Sequence, residues 1–329
     1  MEPMDIMDDQ QNAPAMGEAF RIAELLRQQL GEIIVGQQDM LELLLAGLLA
    51  GGHLLIEGVP GVAKTLTAKL LAKSLDVEFS RIQFTPDLMP SDVTGTSVFH
   101  AQQASFQFRR GPIFANVVLI DEINRAPAKT QAALFEVMEE RQVTVDGITY
   151  PMNSPFMVIA TQNPIEHEGT YRLPEAQLDR FLMKINVGYP SLEEEVQILS
   201  RQQQTAVAHQ LASVNPVLHA SDVLRAQSEV QSVHAEANIL RFTAQIIHAT
   251  RNHPSLFVGA SPRASIALLQ VAKAIAVIRG RSFVIPDDVA YAVAPVLRHR
   301  VMLTPEREME GVSADQVLRE LLSHIEVPR

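Results

Sequence analysis

The chain has no cysteine in 329 residues, which excludes disulfides and thiolate metal sites. It has no basic start followed by an apolar core: Met1-Glu2-Pro3-Met4-Asp5 is acidic, so no signal peptide is expected. Long hydrophobic runs are missing too. The most apolar stretch, residues 41–56, is interrupted by Glu42, Gly51, Gly52 and His53 and is too short to cross a bilayer. These absences lead us to expect a soluble, cytoplasmic protein. Positive charge is in short supply: 27 Lys and Arg against 38 Asp and Glu give a formal net charge of −11. That disfavours a broad nucleic-acid surface, although a basic patch lining a pore could sit inside an acidic total. There is no internal repeat, no His-Glu-x-x-His, and no serine-hydrolase elbow, since Gly259-Ala260-Ser261-Pro262-Arg263 lacks the second glycine.

What is present reads as globular, with 47% hydrophobic and 20% charged residues, and the length suits about two domains. Residues 1–15 form a polar, acidic tail. Residues 16–190 alternate strand and helix signals, and residues 191–329 carry helix signals only.

The centre of the first domain is residues 54–66. Leu54-Leu55-Ile56 has the apolar character of a strand buried on both faces. Gly58-Val59-Pro60-Gly61-Val62-Ala63 follows as a loop, and Lys64-Thr65-Leu66 opens a helical pattern. Strand, glycine-bearing loop and helix with Lys-Thr at its start is the context of a phosphate-binding loop. Backbone N–H groups and the helix N-terminus would cradle phosphate, Lys64 would reach the β- and γ-phosphates, and the Thr65 hydroxyl would meet Mg²⁺. Ala63 stands where the common G-x-x-x-x-G-K-[ST] pattern has glycine, and a methyl group there is expected to need a negative φ.

Val117-Val118-Leu119-Ile120 leads into Asp121-Glu122, two carboxylates at the carboxyl end of a buried strand. Ligands of open parallel sheets bind at that edge. Asp121 is assigned to the metal, and Glu122 to the attacking water. Residues 156–163 form another apolar strand with a polar end at Asn163. Two hairpins are expected within the domain. One pairs residues 97–99 with 105–109, and the other spans 143–150 around Asp146-Gly147, a strong two-residue turn signal. After Tyr189-Pro190 come helical patterns at 192–203, 221–231, 237–252, 262–279, 286–293 and 314–325, with Pro262 and Pro286 as helix starts.

These residues resemble the AAA+ ATPases, and within them the MoxR family, over nearly the whole chain from Ile33. The resemblance rests on five motifs in order: Glu57 to Thr65, Ile120-Asp-Glu-Ile-Asn-Arg-Ala126, Ala160-Thr-Gln-Asn-Pro164, Leu173 to Phe181, and Ala260-Ser-Pro-Arg-Ala264. It implies a three-layer P-loop α/β domain with a mostly parallel sheet and two inserted hairpins, then an all-helical lid. The family commonly has alanine before the P-loop lysine. The resemblance makes Asn163 the sensor that positions water, Arg180 the arginine finger offered to a neighbouring subunit, and Arg263 the lid sensor. Arg172 competes with Arg180, and Arg180 could instead pair with Asp179 or Glu175. Whether Arg263 serves its own nucleotide or its neighbour's stays open. Val35-Gly36 matches the adenine-lining position. Implied further are ATP and Mg²⁺ as ligands, a ring, most often hexameric, and client proteins with von Willebrand factor A domains. A magnesium-chelatase-like subunit and a nucleic-acid motor are the alternatives; against the latter, no lysine lies between Gln142 and Pro155.

Overall fold

A computed structural model describes residues 17–59, 61–163, 171, 173–204, 211 and 214–328. The described residues open with two helices, α1 (Glu18–Ile33) and α2 (Gln38–Leu49). Nine of the twelve α2 residues are buried. A helix apolar on every side belongs in a core. Strand β1 (Leu54–Gly58), helix α3 (Lys64–Ser74) and strand β2 (Phe79–Gln83) follow. A single-turn helix α4 (Pro90–Thr94) leads into the first hairpin, β3 (Gly95–His100) and β4 (Ser105–Arg110). Then come β5 (Val117–Asp121), α5 (Ala128–Glu140), the second hairpin of β6 (Gln142–Val145) and β7 (Ile148–Pro151), β8 (Met157–Gln162), the short α6 (Glu175–Leu178) and β9 (Met183–Val187).

Five of these strands form one sheet in the order β2-β5-β8-β1-β9, and every neighbouring pair is parallel. Successive side chains of a strand point to opposite faces, and the apolar strands split accordingly. Leu54, Ile56, Val117, Leu119, Met157, Ile159, Met183 and Ile185 join one buried cluster with α1, α2 and α3. Leu55, Val118, Ile120, Val158 and Ala160 join another with Phe84, Leu134, Phe135 and Phe181. The expected three-layer α/β domain with a parallel sheet and two inserted hairpins is therefore present.

The remaining elements are α7 (Leu192–Gln204), α8 (Ala220–Ser232), α9 (Ala237–Arg251), β10 (Leu256–Val258), α10 (Pro262–Ile278), α11 (Pro286–Leu297), β11 (Met302–Leu303), α12 (Pro305–Met309) and α13 (Ala314–Ser323). The expectation of purely helical structure here needs one correction. β10 and β11 pair antiparallel, and His234 bridges Phe283. Strands of three and two residues carry too little alternation to register as a pattern, and they form only because α10, α11 and α9 bring their ends together. Among the described residues no helix is long and apolar enough to cross a membrane.

Candidate nucleotide site

β1 and β5 both run toward the same edge of the sheet, with β8 between them. Leu54 to Glu57 register with Ile159 to Gln162, and Val117 to Ile120 register with Met157 to Ala160. Parallel register thus brings Gly58, Asp121, Glu122 and Asn163 to one carboxyl edge, although up to about a hundred residues separate them in the chain. Gly58 has no room for a side chain, since a Cβ there would lie 2.7 Å from the Val187 carbonyl oxygen on β9.

Beyond Gly58 the loop turns back into α3. Val62 is buried, Val59, Ala63 and Leu66 lean on the core, and Gly61 takes φ 90°. Pro60 lies outside the described residues. Ala63 takes φ 59° and ψ 16°, the left-handed region. The expectation of a negative φ is corrected: the methyl group is carried in the conformation that favours glycine, which accounts for the glycine of the common pattern. No side chain caps α3. The N–H groups at Lys64, Thr65 and Leu66 belong to the first turn, where a helix supplies no carbonyl partner of its own, the arrangement that suits an anion. Lys64 Nζ donates to the Gly58 carbonyl at 2.6 Å. Partial burial lowers its pKa, against the opposing pull of Asp121, Glu122 and Glu57.

Asp121 is buried, and both of its oxygens are engaged. Oδ2 accepts from Arg81 Nε at 2.6 Å, and Oδ1 accepts from the Thr161 hydroxyl at 3.1 Å. Glu122 sits at φ 58°. Its Oε2 accepts from Gln83 Nε2 at 2.9 Å and is 3.0 Å from Arg125 Nε. Asn163 is buried one residue past β8. The donor types suit Mg²⁺: Thr65 and Asp121 would supply two hard oxygens once Arg81 releases Asp121 Oδ2, and this ion keeps most of its shell for water and phosphate.

At the adenine-lining position, Gly36 has φ 66° and lies against the Glu194 carboxylate, while Gln37 Nε2 donates to the Gly188 carbonyl at 3.2 Å. The site expected at Val35-Gly36 is thus walled by the turn after β9 and the start of α7.

The two expected arginines lie elsewhere. Leu54 registers with Met183, and Leu182 N donates to the His53 carbonyl at 2.8 Å, so residues 179–182 stand at the amino edge of the sheet. A five-residue strand, about 16 Å at ~3.3 Å per residue, separates that edge from Gly58. Arg180 Nε is 3.3 Å from Glu139 Oε2, and its guanidinium lies 6.0 Å from the Phe135 ring centre. Arg263 donates to the other oxygen of the same Glu139. The alternative pairing of Arg180 with Asp179 or Glu175 is not observed; Asp179 is taken by Arg300 at 2.6 Å. Arg172 lies outside the described residues.

Sequence reading missed the partners. Arg81 and Gln83 alternate with Ile82, which marks a strand and no site, yet the β2–β5 register sets Gln83 opposite Asp121. Thr161 at an apolar strand end was the available signal for its bond to Asp121. Nothing near Glu139 or Arg300 in sequence marks either one.

A phosphate loop beside a carboxylate pair on a parallel sheet, followed in the chain by a helical lid, defines the AAA+ class of ATPases. Residues 53–183 match the family model for the "ATPase family associated with various cellular activities (AAA)", and residues 248–321 match the AAA lid domain. The chain is 50% identical over 315 residues to the uncharacterized protein YeaC of Bacillus subtilis, covering 96% of this chain and 95% of the relative. It is 46% identical over 306 residues to Chaperone MoxR1 of Mycobacterium tuberculosis, covering 90% and 80%, and 31% identical over 312 residues to Protein MoxR of Paracoccus denitrificans, covering 88% and 90%. A crystal structure of a Cytophaga hutchinsonii protein described as an ATPase superposes with a TM-score of 0.87 at 40% identity, covering 95% of this chain and 97% of that one. The chain belongs to the MoxR family of AAA+ ATPases, and its chemistry is ATP hydrolysis.

Proposed function

We propose that the protein is a Mg²⁺-dependent ATPase that works as a cytoplasmic ring, each site being completed by its neighbour, and that it remodels or matures partner proteins carrying von Willebrand factor A domains. The observation that carries the ring is the placement of Arg180. It stands one strand length from the carboxyl edge, farther than an arginine side chain crosses, so its target is the nucleotide of another subunit. Arg263 shares Glu139 with it and belongs to the same outward-facing pair. The client class rests on family membership and on a relative named as a chaperone. The first hairpin offers a surface for clients, with Phe99 54% exposed and Phe106 70% exposed and their rings 5.2 Å apart.

In this reading the α3 amides and Lys64 bind the phosphates. Thr65 and Asp121 would hold Mg²⁺, which would supply positive charge against the phosphates. Val35 and Gly36 flank the base. Asn163 orients water and Glu122 takes its proton, after releasing Gln83 and Arg125. Arg180 and Arg263 leave Glu139 and neutralise the charge that develops on the neighbour's γ-phosphate.

Three measurements test this. Glu122→Gln should bind ATP normally and hydrolyse it at least ~10²-fold more slowly; normal turnover would sink the mechanism. Chelation of divalent metal should abolish turnover, and Mg²⁺ should restore it. Arg180→Ala should bind ATP but not hydrolyse it, and light scattering should show ATP-dependent assembly of the wild type. A protein that stays monomeric while Arg180→Ala turns over normally would leave no place for a shared site.

A further inference from the structure

Leu297 ends α11, and the next three residues are Arg298, His299 and Arg300. Three polar residues in a row after a helix ordinarily face water. Here all three turn inward, toward the amino edge of the sheet. Arg298 pairs with Asp315 at 3.0 Å and donates to the Lys184 carbonyl at 3.2 Å. His299 Nε2 lies 3.0 Å from the Phe181 carbonyl oxygen. The Arg300 side chain is only 4% exposed.

Arg300 uses its whole fork. Nε donates to Asp179 Oδ1 at 2.6 Å. Nη1 donates to the carbonyls of Leu182 at 3.0 Å and Val296 at 2.6 Å. Nη2 donates to the carbonyls of Asp179 at 3.1 Å and Phe181 at 2.7 Å. A guanidinium has five N–H groups in a fixed plane, and each has a partner here. Lysine, with three donors on a flexible stem, cannot reproduce the set. Burying this charge is tolerable only because the pairing is complete.

The grip falls on one segment. Residues 179, 181 and 182 surround Arg180, and all of their carbonyls go to Arg300. Their N–H groups make only local turns or reach His53, and α6 is a single turn. The direction of the Arg180 backbone is therefore set from the lid. We infer that Arg300, assisted by His299, is a positioning residue for hydrolysis: it fixes the segment that presents Arg180, so that a shift of the lid moves the finger. This inference rests on the reading that Arg180 completes a neighbour's site.

The test compares Arg300→Lys with wild type for turnover and for binding of a fluorescent N-methylanthraniloyl ATP. Binding should stay within about twofold, because the phosphate loop is untouched, while kcat falls ~10- to 100-fold, the loss typical of a reacting group displaced by about 1 Å. Arg300→Lys, slowed as above, is then mixed with Glu122→Gln, inactive alone. Half the sites keep Glu122 and half of their neighbours keep Arg300, so about a quarter of wild-type turnover should return. The Glu122→Gln/Arg300→Lys double variant should restore nothing. Asp179→Asn, which keeps every carbonyl acceptor, serves if Arg300→Lys does not fold, and should follow the same pattern with a smaller loss.

Turnover equal to wild type in a folded variant overturns the inference. So does joint loss of binding and turnover that mixing does not recover, which marks a purely structural residue. Arg180→Ala mixed with Glu122→Gln is the separate control. If that pair fails to recover, the shared-site reading falls, whatever Arg300 does.

Discussion

His53 stands just ahead of β1, fully enclosed. Its Nδ1 accepts from Val158 N at 2.9 Å, so the proton sits on Nε2, 3.1 Å from the Met138 carbonyl oxygen. Burial lowers its pKa to about 4, with Arg141 assisting and the Met138 hydrogen bond and Glu139 opposing. Burial also holds His299 well below 6.5, with Arg300 adding to the effect. The unfolded chain takes up these protons near pH 6.5 and the folded chain does not. The stability that rests on these neutral histidines is therefore complete above pH 6.5, and the His53 share is lost as pH falls toward 4. For His53 alone the loss by about pH 5 is ~2 kcal/mol. Urea midpoints at pH 7.5 and pH 5 check this, and a flat midpoint would contradict it. Ala63 gives a second test at this scale. Its left-handed φ of 59° costs about 1 kcal/mol that glycine does not incur. Ala63→Gly should gain about that much in urea unfolding and keep ATP affinity.

The two hairpins are separate ribbons in the sheet topology but one object in packing. The Phe108 and Tyr150 rings lie 4.5 Å apart, Phe108 also meets Phe114 at 5.9 Å, and the Ser97 hydroxyl donates to Asp146. The second ribbon turns on Asp146 at φ 52° and Gly147 at φ 78°, the two left-handed residues of a tight hairpin turn. Gly147→Val should cost the ribbon about 1–2 kcal/mol. Hydrogen exchange over residues 142–151 should quicken while exchange in β1, β5 and β8 stays slow; unchanged protection would show that the turn is not what holds the ribbon.

This turn was plain in the sequence because its chemistry is local. So were the phosphate loop and the run Val117 to Glu122, each written in a dozen residues or fewer. The strand order was not, since β1 lies between β8 and β9 and nothing near Leu54 says so. Nor were the partners of the charged groups. Glu139 meets Arg263 across 124 residues, and Arg300 meets Asp179 across 121. Such pairs are fixed by tertiary packing, and a single sequence carries no trace of them. The sign of φ at Ala63 escaped because backbone strain leaves no mark on composition.

At the scale of the molecule, one buried cluster runs from α1 and α2 through one face of the sheet into α8, α9, α10 and α11. Leu44, Ile159, Leu182 and Val293 all belong to it, on either side of residue 190. A core shared in this way couples the unfolding of its parts. Calorimetry of the nucleotide-free protein should show one transition, and two well-separated peaks would mean that the cluster is not cooperative.

The same packing sets a timetable for synthesis. Ala19 N donates to Glu229 across 210 residues, and Glu18 holds Arg225. Helix α1 is thus closed over by a helix made far later. At about 5–20 residues per second that delay is roughly 10–40 s. Through it, the apolar stripe of Ile22, Ala23, Leu26 and Leu30 has no α8 to cover it. A protein of this chaperone-like family enters the cell with its helix α1 in need of shelter.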